Sequence, residues 1–147
     1  MGTGLAETIG VNASKKFKRL ICIIGDGSLL MNSQDLQTIS QEKMNVIIIL
    51  VNNNGYLAIR HTQKEFLNSK YYGTKDPNIT FPNFKKLAYA YNIKHLKIKN
   101  ENDANKLFYK IEKIKGPAIC ELITNPEAQS LFKQGYMKNK NGTFSPM

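Results

Sequence analysis

The sequence predicts a three-layer α/β fold, a mostly parallel sheet with helices on both faces, and three observations lead there. Two unbroken apolar runs, Leu20–Ile24 and Val46–Val51, are rich in β-branched residues and have strand length. Such continuous runs mark parallel strands buried on both faces, whereas half-exposed strands alternate. The segments between apolar runs space their hydrophobic residues with helical period, so helices and strands take turns along the chain. A chain of 147 residues is long enough for one compact domain with its own core and too short for two.

The elements follow in order. Residues 3–16 place Leu5, Ile9 and Ala13 on one face of an amphipathic helix. Strand 20–24 comes next and turns at Gly25. Asn32 is positioned to cap a helix over 33–43, with Asp35 answering it in the first turn. Strand 46–51 follows, then a short helix over 56–66. Residues 67–80 hold Asn68, Ser69, Gly73, Asp76 and Pro77, the composition of a loop. Thr80 and Pro82 suit the start of a helix carrying Phe84, Leu87, Ala88 and Tyr91. His95–Lys99 alternates as a half-buried strand. Ala104, Leu107, Phe108, Ile111 and Ile114 then form an apolar stripe opposite Lys106, Lys110 and Lys113, and Gly116 ends that helix. Pro117–Ile123 is the last strand. Residues 1–124 thus read as the domain, and 125–147 as a C-terminal tail with little periodicity. Asn139, Asn141, Gly142 and Pro146 point to an extended or mobile segment there.

Formal charge is +10, from 21 Lys and Arg against 11 Asp and Glu. The lysines are dispersed rather than blocked and no basic-aromatic recognition motif occurs, so they read as a solvated surface and not as a nucleic-acid or acidic-membrane interface. A net positive field still attracts anionic ligands modestly. Cys22 and Cys120 lie inside apolar runs, as buried thiols of a reducing cytosol do. The longest uninterrupted apolar stretch, Val46–Val51, is far short of a membrane span, and the N-terminus does not look like a signal peptide. A cytoplasmic protein with no membrane and no nucleic-acid partner is expected.

The chemistry concentrates where the two apolar runs end. Gly25-Asp26-Gly27 closes the first and Asn52-Asn53 closes the second, with residues 28–51 between them. Parallel neighbours would present an aspartate and an asparagine together at their carboxyl ends, where open α/β sheets bind phosphorylated ligands. A carboxylate oxygen, an amide oxygen and a nearby backbone carbonyl suit Mg²⁺, which completes its octahedron with phosphates and water. Gly25 and Gly27 let the backbone approach a phosphate closely. Gly27 and Ser28 open the next helix, so their amides can point at a diphosphate oxygen, while the Ser28 hydroxyl either adds a contact or caps the helix. The plainer alternatives are a capping aspartate at Asp26 and a simple Asn-rich loop tolerant of left-handed backbone at 52–54.

The segment GDGSLLMNSQDLQTISQEKMNVIIILVNNNGYLAIR resembles the thiamine-diphosphate fingerprint, and its surroundings are most similar to acetolactate-synthase-type enzymes over nearly the whole chain to about Asn125. The resemblance implies the C-terminal, diphosphate-binding domain of such an enzyme, with thiamine diphosphate and Mg²⁺ as cofactors. It assigns the metal to Asp26, the Asn53 side chain and the Gly55 carbonyl, with Asn52 holding the turn and Asn54 given no role. Tyr56 and Leu57 fall where relatives contact the diphosphate through main-chain amides, and the Tyr56 ring either contributes or packs. Met1 and Gly2 match a segment that touches the aminopyrimidine ring, although Ala6 and Glu7 depart from the pattern and the preceding Gly-rich turn is missing. Arg60 reads as a surface or tail-binding cation, and His61 is not assigned a catalytic role.

No catalytic residue is assigned. In the resembling enzymes a glutamate of a pyrimidine-binding domain, normally on the neighbouring subunit, activates the cofactor, and no residue here matches it. The chain is therefore expected to work in a homo- or hetero-oligomer, on a 2-oxo acid, and to be inactive without that domain. The reaction implied is carboligation after decarboxylation. The small subunit of a split decarboxylase of sulfopyruvate or phosphonopyruvate type, and a non-catalytic fragment, are the alternatives. The closing motif of similar tails is absent at Ser145-Pro146-Met147, so the tail is expected to be truncated.

Overall fold

The computed structural model describes residues 1–68, 70–128 and 136–146. The order is α1 (Gly4–Ala13), β1 (Leu20–Gly25), α2 (Asp26–Met31), α3 (Asp35–Gln41), β2 (Val46–Asn52), α4 (Leu57–Phe66), α5 (Phe84–Ala90), β3 (Lys94–Ile98), α6 (Glu101–Ile111), β4 (Ala118–Ile123), β5 (Tyr136–Lys138) and β6 (Phe144–Pro146). The first four strands form one parallel sheet in the order β1-β2-β4-β3. This is the expected α/β class, with helices on both faces. Gly25 pairs with Val51, so the tips of β1 and β2 lie side by side. Among the described residues no helix is long and apolar enough to cross a membrane.

Period-two geometry divides the core. Val46, Ile48 and Leu50 of β2 face a cluster built with Leu5 of α1, Leu29 of α2, Leu36 and Ile39 of α3, and Phe84 and Ala88 of α5. Ile47 faces the other way, onto Leu107 of α6, Ile98 of β3, and Ala118 and Cys120 of β4. The Arg19 guanidinium donates to the carbonyls of Ile111 (3.0 Å) and Ile114 (2.7 Å), pinning the end of α6 beside the start of β1.

Several expectations are corrected. β1 is not buried on both faces: Cys22 and Ile24 point into the core, but Ile21 is 60% and Ile23 71% exposed. The α6 side of the sheet is covered over β2, β4 and β3, and among the described residues nothing lies over those two isoleucines. The helix expected over 33–43 is the shorter α3, and a separate helix, α2, precedes it. Asn32 ends α2, and its backbone carbonyl rather than its side chain accepts from the Asp35 N–H at 3.0 Å. α5 starts from Asn83, whose side chain accepts from the Lys86 N–H at 3.0 Å, so Thr80 is not its cap. Asn100 caps α6 in the same way through Asp103, and α6 ends at Ile111, well before Gly116. The side chain of Phe108 and the loop residue Ser69 lie outside the described residues. Within the tail, β5 and β6 pair as an antiparallel hairpin whose connection is closed by the Asn139 N–H donating to the Thr143 carbonyl. Its strands are too short for hydrophobic periodicity to reveal them.

Candidate functional site

β1 passes into α2 without a loop, which places Asp26 at the strand tip with only 1% exposure. Oδ1 accepts from the Gly27 N–H (2.8 Å), and Oδ2 accepts from the N–H groups of Asn53 (3.1 Å) and Gly55 (3.0 Å). One carboxylate thus ties the end of β1 to the turn after β2. Burial pushes the Asp26 carboxyl above its ordinary range, and the backbone N–H groups, led by that of Gly55, pull the other way. The Gly27 amide is occupied by its own neighbour, so it is not left free for a phosphate.

The turn after β2 is held from several sides. The Asn52 side-chain oxygen accepts from the Asn54 N–H at 3.1 Å, the turn-holding role expected of Asn52. Asn54 has φ 55 and Gly55 φ 147, and a Cβ on Gly55 would collide with the Thr74 carbonyl and the Arg60 guanidinium. Only glycine fits there. The Asn53 side-chain oxygen is buried with no hydrogen-bond partner. Buried acceptors are satisfied in the great majority of cases, so an orphan beside a buried carboxylate marks a place for a ligand.

A cavity of about 470 Å³ gathers the sequence-derived residues: Met1, Gly25, Asp26, Gly27, Ser28, Asn53, Gly55, Tyr56 and Leu57 all line it. Gly2 joins them through its N–H, which donates to the Ser28 hydroxyl at 2.8 Å, so that hydroxyl does not cap α2. The Tyr56 ring packs directly over Gly27, where a Cβ would strike it, and meets Phe81 edge-on at 6.2 Å. Among the described residues no group of three His, Cys, Asp or Glu side chains is placed to hold an ion. The Asp26 carboxylate, with the neutral oxygens of the turn beside it, offers the hard donor set that suits Mg²⁺.

Two features escaped the sequence reading. Arg60 is not a surface cation: it is 2% exposed and donates to the carbonyls of Asn53, Asn54, Thr74 and Pro126. The expected hold on the tail is real, since His61 also meets the Ala128 carbonyl at 3.0 Å. The second is buried Glu121, bonded to His95 and Asn52 on the wall of a larger cavity of about 590 Å³. A charged residue inside the apolar run Ala118–Ile123 was its signal, because a carboxylate in a covered strand must be paired.

The profile of the thiamine pyrophosphate enzyme C-terminal TPP-binding domain matches residues 1–122. The chain belongs to that family. It is 31% identical over 137 residues to the acetolactate synthase large subunit of Porphyra purpurea, which covers 92% of this chain and 23% of that protein. Acetolactate synthase isozyme 1 large subunit of Escherichia coli K12 is 29% identical over 127 residues, or 86% of this chain and 22% of the relative. Among solved structures, the Rhodococcus jostii RHA1 thiamine diphosphate-dependent 4-hydroxybenzoylformate decarboxylase matches with a TM-score of 0.75 and 28% identity, over 87% of this chain and 24% of that one. The chain therefore spans about a quarter of the relatives it matches. It is a TPP-binding domain of an enzyme family that includes acetolactate synthases.

Proposed function

We propose that this domain binds thiamine diphosphate through Mg²⁺, with the ion held by the Asp26 carboxylate, the Asn53 side-chain oxygen and the Gly55 carbonyl. The observation that carries the reading is the buried, unpartnered side-chain oxygen of Asn53, a residue that lines the same cavity as Asp26. Asp26 also orders the turn that offers the other two ligands, since it takes the N–H groups of Asn53 and Gly55. Gly25 leaves open space on the cavity wall and Gly27 makes room for the Tyr56 ring; Tyr56 and Leu57 would bound the diphosphate, and Met1 and Gly2 would meet the aminopyrimidine end.

When bound, thiamine diphosphate supplies the electron sink that decarboxylation of a 2-oxo acid requires. This chain contributes binding and orientation. The reaction we favour for the complete enzyme is acetolactate-synthase-like carboligation, supported by the relatives above. A pyrimidine-binding domain, on another chain or another part of the polypeptide, would complete the site in a homo- or hetero-oligomer. Support comes from the chain's share of its relatives and from the bare face of β1, where Ile21 and Ile23 await a cover. Residues 1–124 would be the cofactor domain and 125–147 a tail, of which Pro126 and Ala128 are held by Arg60 and His61. A reducing, cytoplasmic setting fits two free, buried cysteines.

Calorimetric titration with thiamine diphosphate, with and without Mg²⁺, tests the reading. Binding should require Mg²⁺ in the wild type and be lost in Asp26→Asn. Equal binding with and without the ion in both proteins would overturn it.

A further inference from the structure

We infer that Glu121 is a positioning residue for the metal-binding turn, acting on it through Asn52; the inference rests on the reading of Asn53 and Gly55 as metal ligands. Glu121 sits in β4, opposite Leu50 of β2, and is 4% exposed. Its Oε1 accepts from the Asn52 side-chain amide at 2.7 Å, and its Oε2 accepts from His95 Nε2 at 2.9 Å. Both oxygens are committed, so the carboxylate has one orientation.

An ionised carboxylate only accepts hydrogen bonds, so only the NH₂ end of Asn52 can face it. That choice turns the Asn52 oxygen the other way, onto the Asn54 N–H. The Asn52 main-chain carbonyl is fixed too, by the Thr124 N–H at 2.9 Å. Asn52 is thereby locked at side chain and backbone immediately before Asn53, whose N–H meets Asp26 and whose side-chain oxygen is buried without a hydrogen-bond partner. The path His95–Glu121–Asn52–Asn54 is continuous and reaches the metal-binding turn without touching the cofactor cavity. For stability alone an apolar residue would serve this strand position at least as well, because burying a carboxylate carries a desolvation cost. What the carboxylate adds is the single orientation of Asn52.

The test uses the 147-residue chain and its Glu121→Gln, Glu121→Met, Asn52→Ala and Glu121→Met/Asn52→Ala variants. Amide hydrogen exchange in the absence of ligands reads the turn at Asn54 and Gly55 and the core at Ile48. The Mg²⁺ concentration that half-saturates thiamine diphosphate binding reads the ligand geometry. In Glu121→Met, exchange at Asn54 should quicken roughly fivefold, the worth of one hydrogen bond, with Ile48 unchanged. The Mg²⁺ midpoint should rise roughly ten- to hundredfold, as when outer-shell partners of metal ligands are removed. Glu121→Gln should stay near wild type, because its amide oxygen accepts from Asn52 while its NH₂ faces the other tautomer of His95. The double variant should be no worse than the worse single one, since both cut the same path.

Wild-type exchange and an unchanged Mg²⁺ midpoint in Glu121→Met, or additive losses in the double variant, would overturn the inference. If Glu121→Met also loses protection at Ile48, the Asn52→Ala and Glu121→Gln pair decides: loss in the first with retention in the second supports the path, and equal behaviour refutes it. A wild-type chain that binds no thiamine diphosphate at any Mg²⁺ concentration overturns the cofactor reading itself. Amide exchange then still decides whether Glu121 orders the turn.

Discussion

Removing the Arg60 guanidinium should destabilise the protein more than any surface substitution. Its Nη atoms donate to the carbonyls of Asn53, Asn54, Thr74 and Pro126, and among the described residues it has no carboxylate partner. Hydrogen bonds to a charged group are worth about 1.5–3 kcal/mol each, giving roughly 6–12 kcal/mol gross for such a set. Desolvation of the buried cation offsets several kcal/mol of this. The Thr74 carbonyl keeps a second donor, the Tyr56 N–H at 3.1 Å, but the carbonyls of Asn53, Asn54 and Pro126 lose their side-chain donor. The net cost of Arg60→Met should be about 3–5 kcal/mol, the range for breaking a buried charged network. For a chain of this size that lowers Tm by roughly 6–20 °C. Arg60→Lys keeps the charge but not the planar fork, so it should recover less than half of the loss. Urea unfolding followed by far-ultraviolet circular dichroism measures this directly, with an unchanged m-value showing that the shifted midpoint reports stability and not a change in the surface exposed on unfolding. Arg60→Met within 1 kcal/mol of wild type, or Arg60→Lys indistinguishable from it, would refute the assignment.

Other outcomes follow from the same geometry. Burial raises the Asp26 carboxyl, so the folded ligand-free protein holds a proton that the unfolded chain has already released. Its stability should therefore fall as pH rises from the ordinary carboxyl range through the raised folded value, and level off above. Asp26→Asn should remove that slope, and urea midpoints between about pH 3 and 8 that show the same profile for both proteins would contradict it. The Cys120 thiol is pushed up to about 11 by burial, and that of Cys22 is raised as well. Neither should react with Ellman's reagent at about pH 8 until the protein is unfolded, since the thiolate is the reactive form; prompt stoichiometric labelling of the native protein would contradict this. Ile21→Lys/Ile23→Lys should change stability by only about 0.5 kcal/mol per site while reducing self-association in sedimentation. A large drop in the urea midpoint would show that this face is covered after all.

The strands were legible in the sequence because apolar runs of strand length obey short-range rules, whereas the order β1-β2-β4-β3 depends on long-range pairing. The meeting of the two strand tips that form the candidate site was legible because a Gly-Asp-Gly and an Asn pair each close a strand. Two of the failures on the helices have local causes. At Asn32 the backbone, not the side chain, bridges into α3, and at α5 Asn83 rather than Thr80 provides the amide oxygen for the cap. The bare face of β1 could not be read from Ile21 and Ile23, since the same residues suit a strand covered on both sides. That distinction depends on where α6 lands. Arg60 sits in a polar helical stretch that gives no hint of burial, and only the closed turn around Gly55 reveals why a cation belongs there. Glu121 was visible as an anomaly in an apolar run, but its partner Asn52 is joined to it only by the pairing of β2 with β4.

The central claim is that Asp26 and Asn53 share one divalent cation that carries the cofactor's diphosphate. Crystals grown with thiamine diphosphate and Mn²⁺ in place of Mg²⁺, measured by anomalous scattering, locate that ion without reference to any activity. The expected result is a single strong peak bonded to an Asp26 carboxylate oxygen and to the Asn53 side-chain oxygen, with diphosphate oxygens on its open side. A peak beside Glu121 and His95 instead, or a bound diphosphate whose ion touches neither Asp26 nor Asn53, would contradict it.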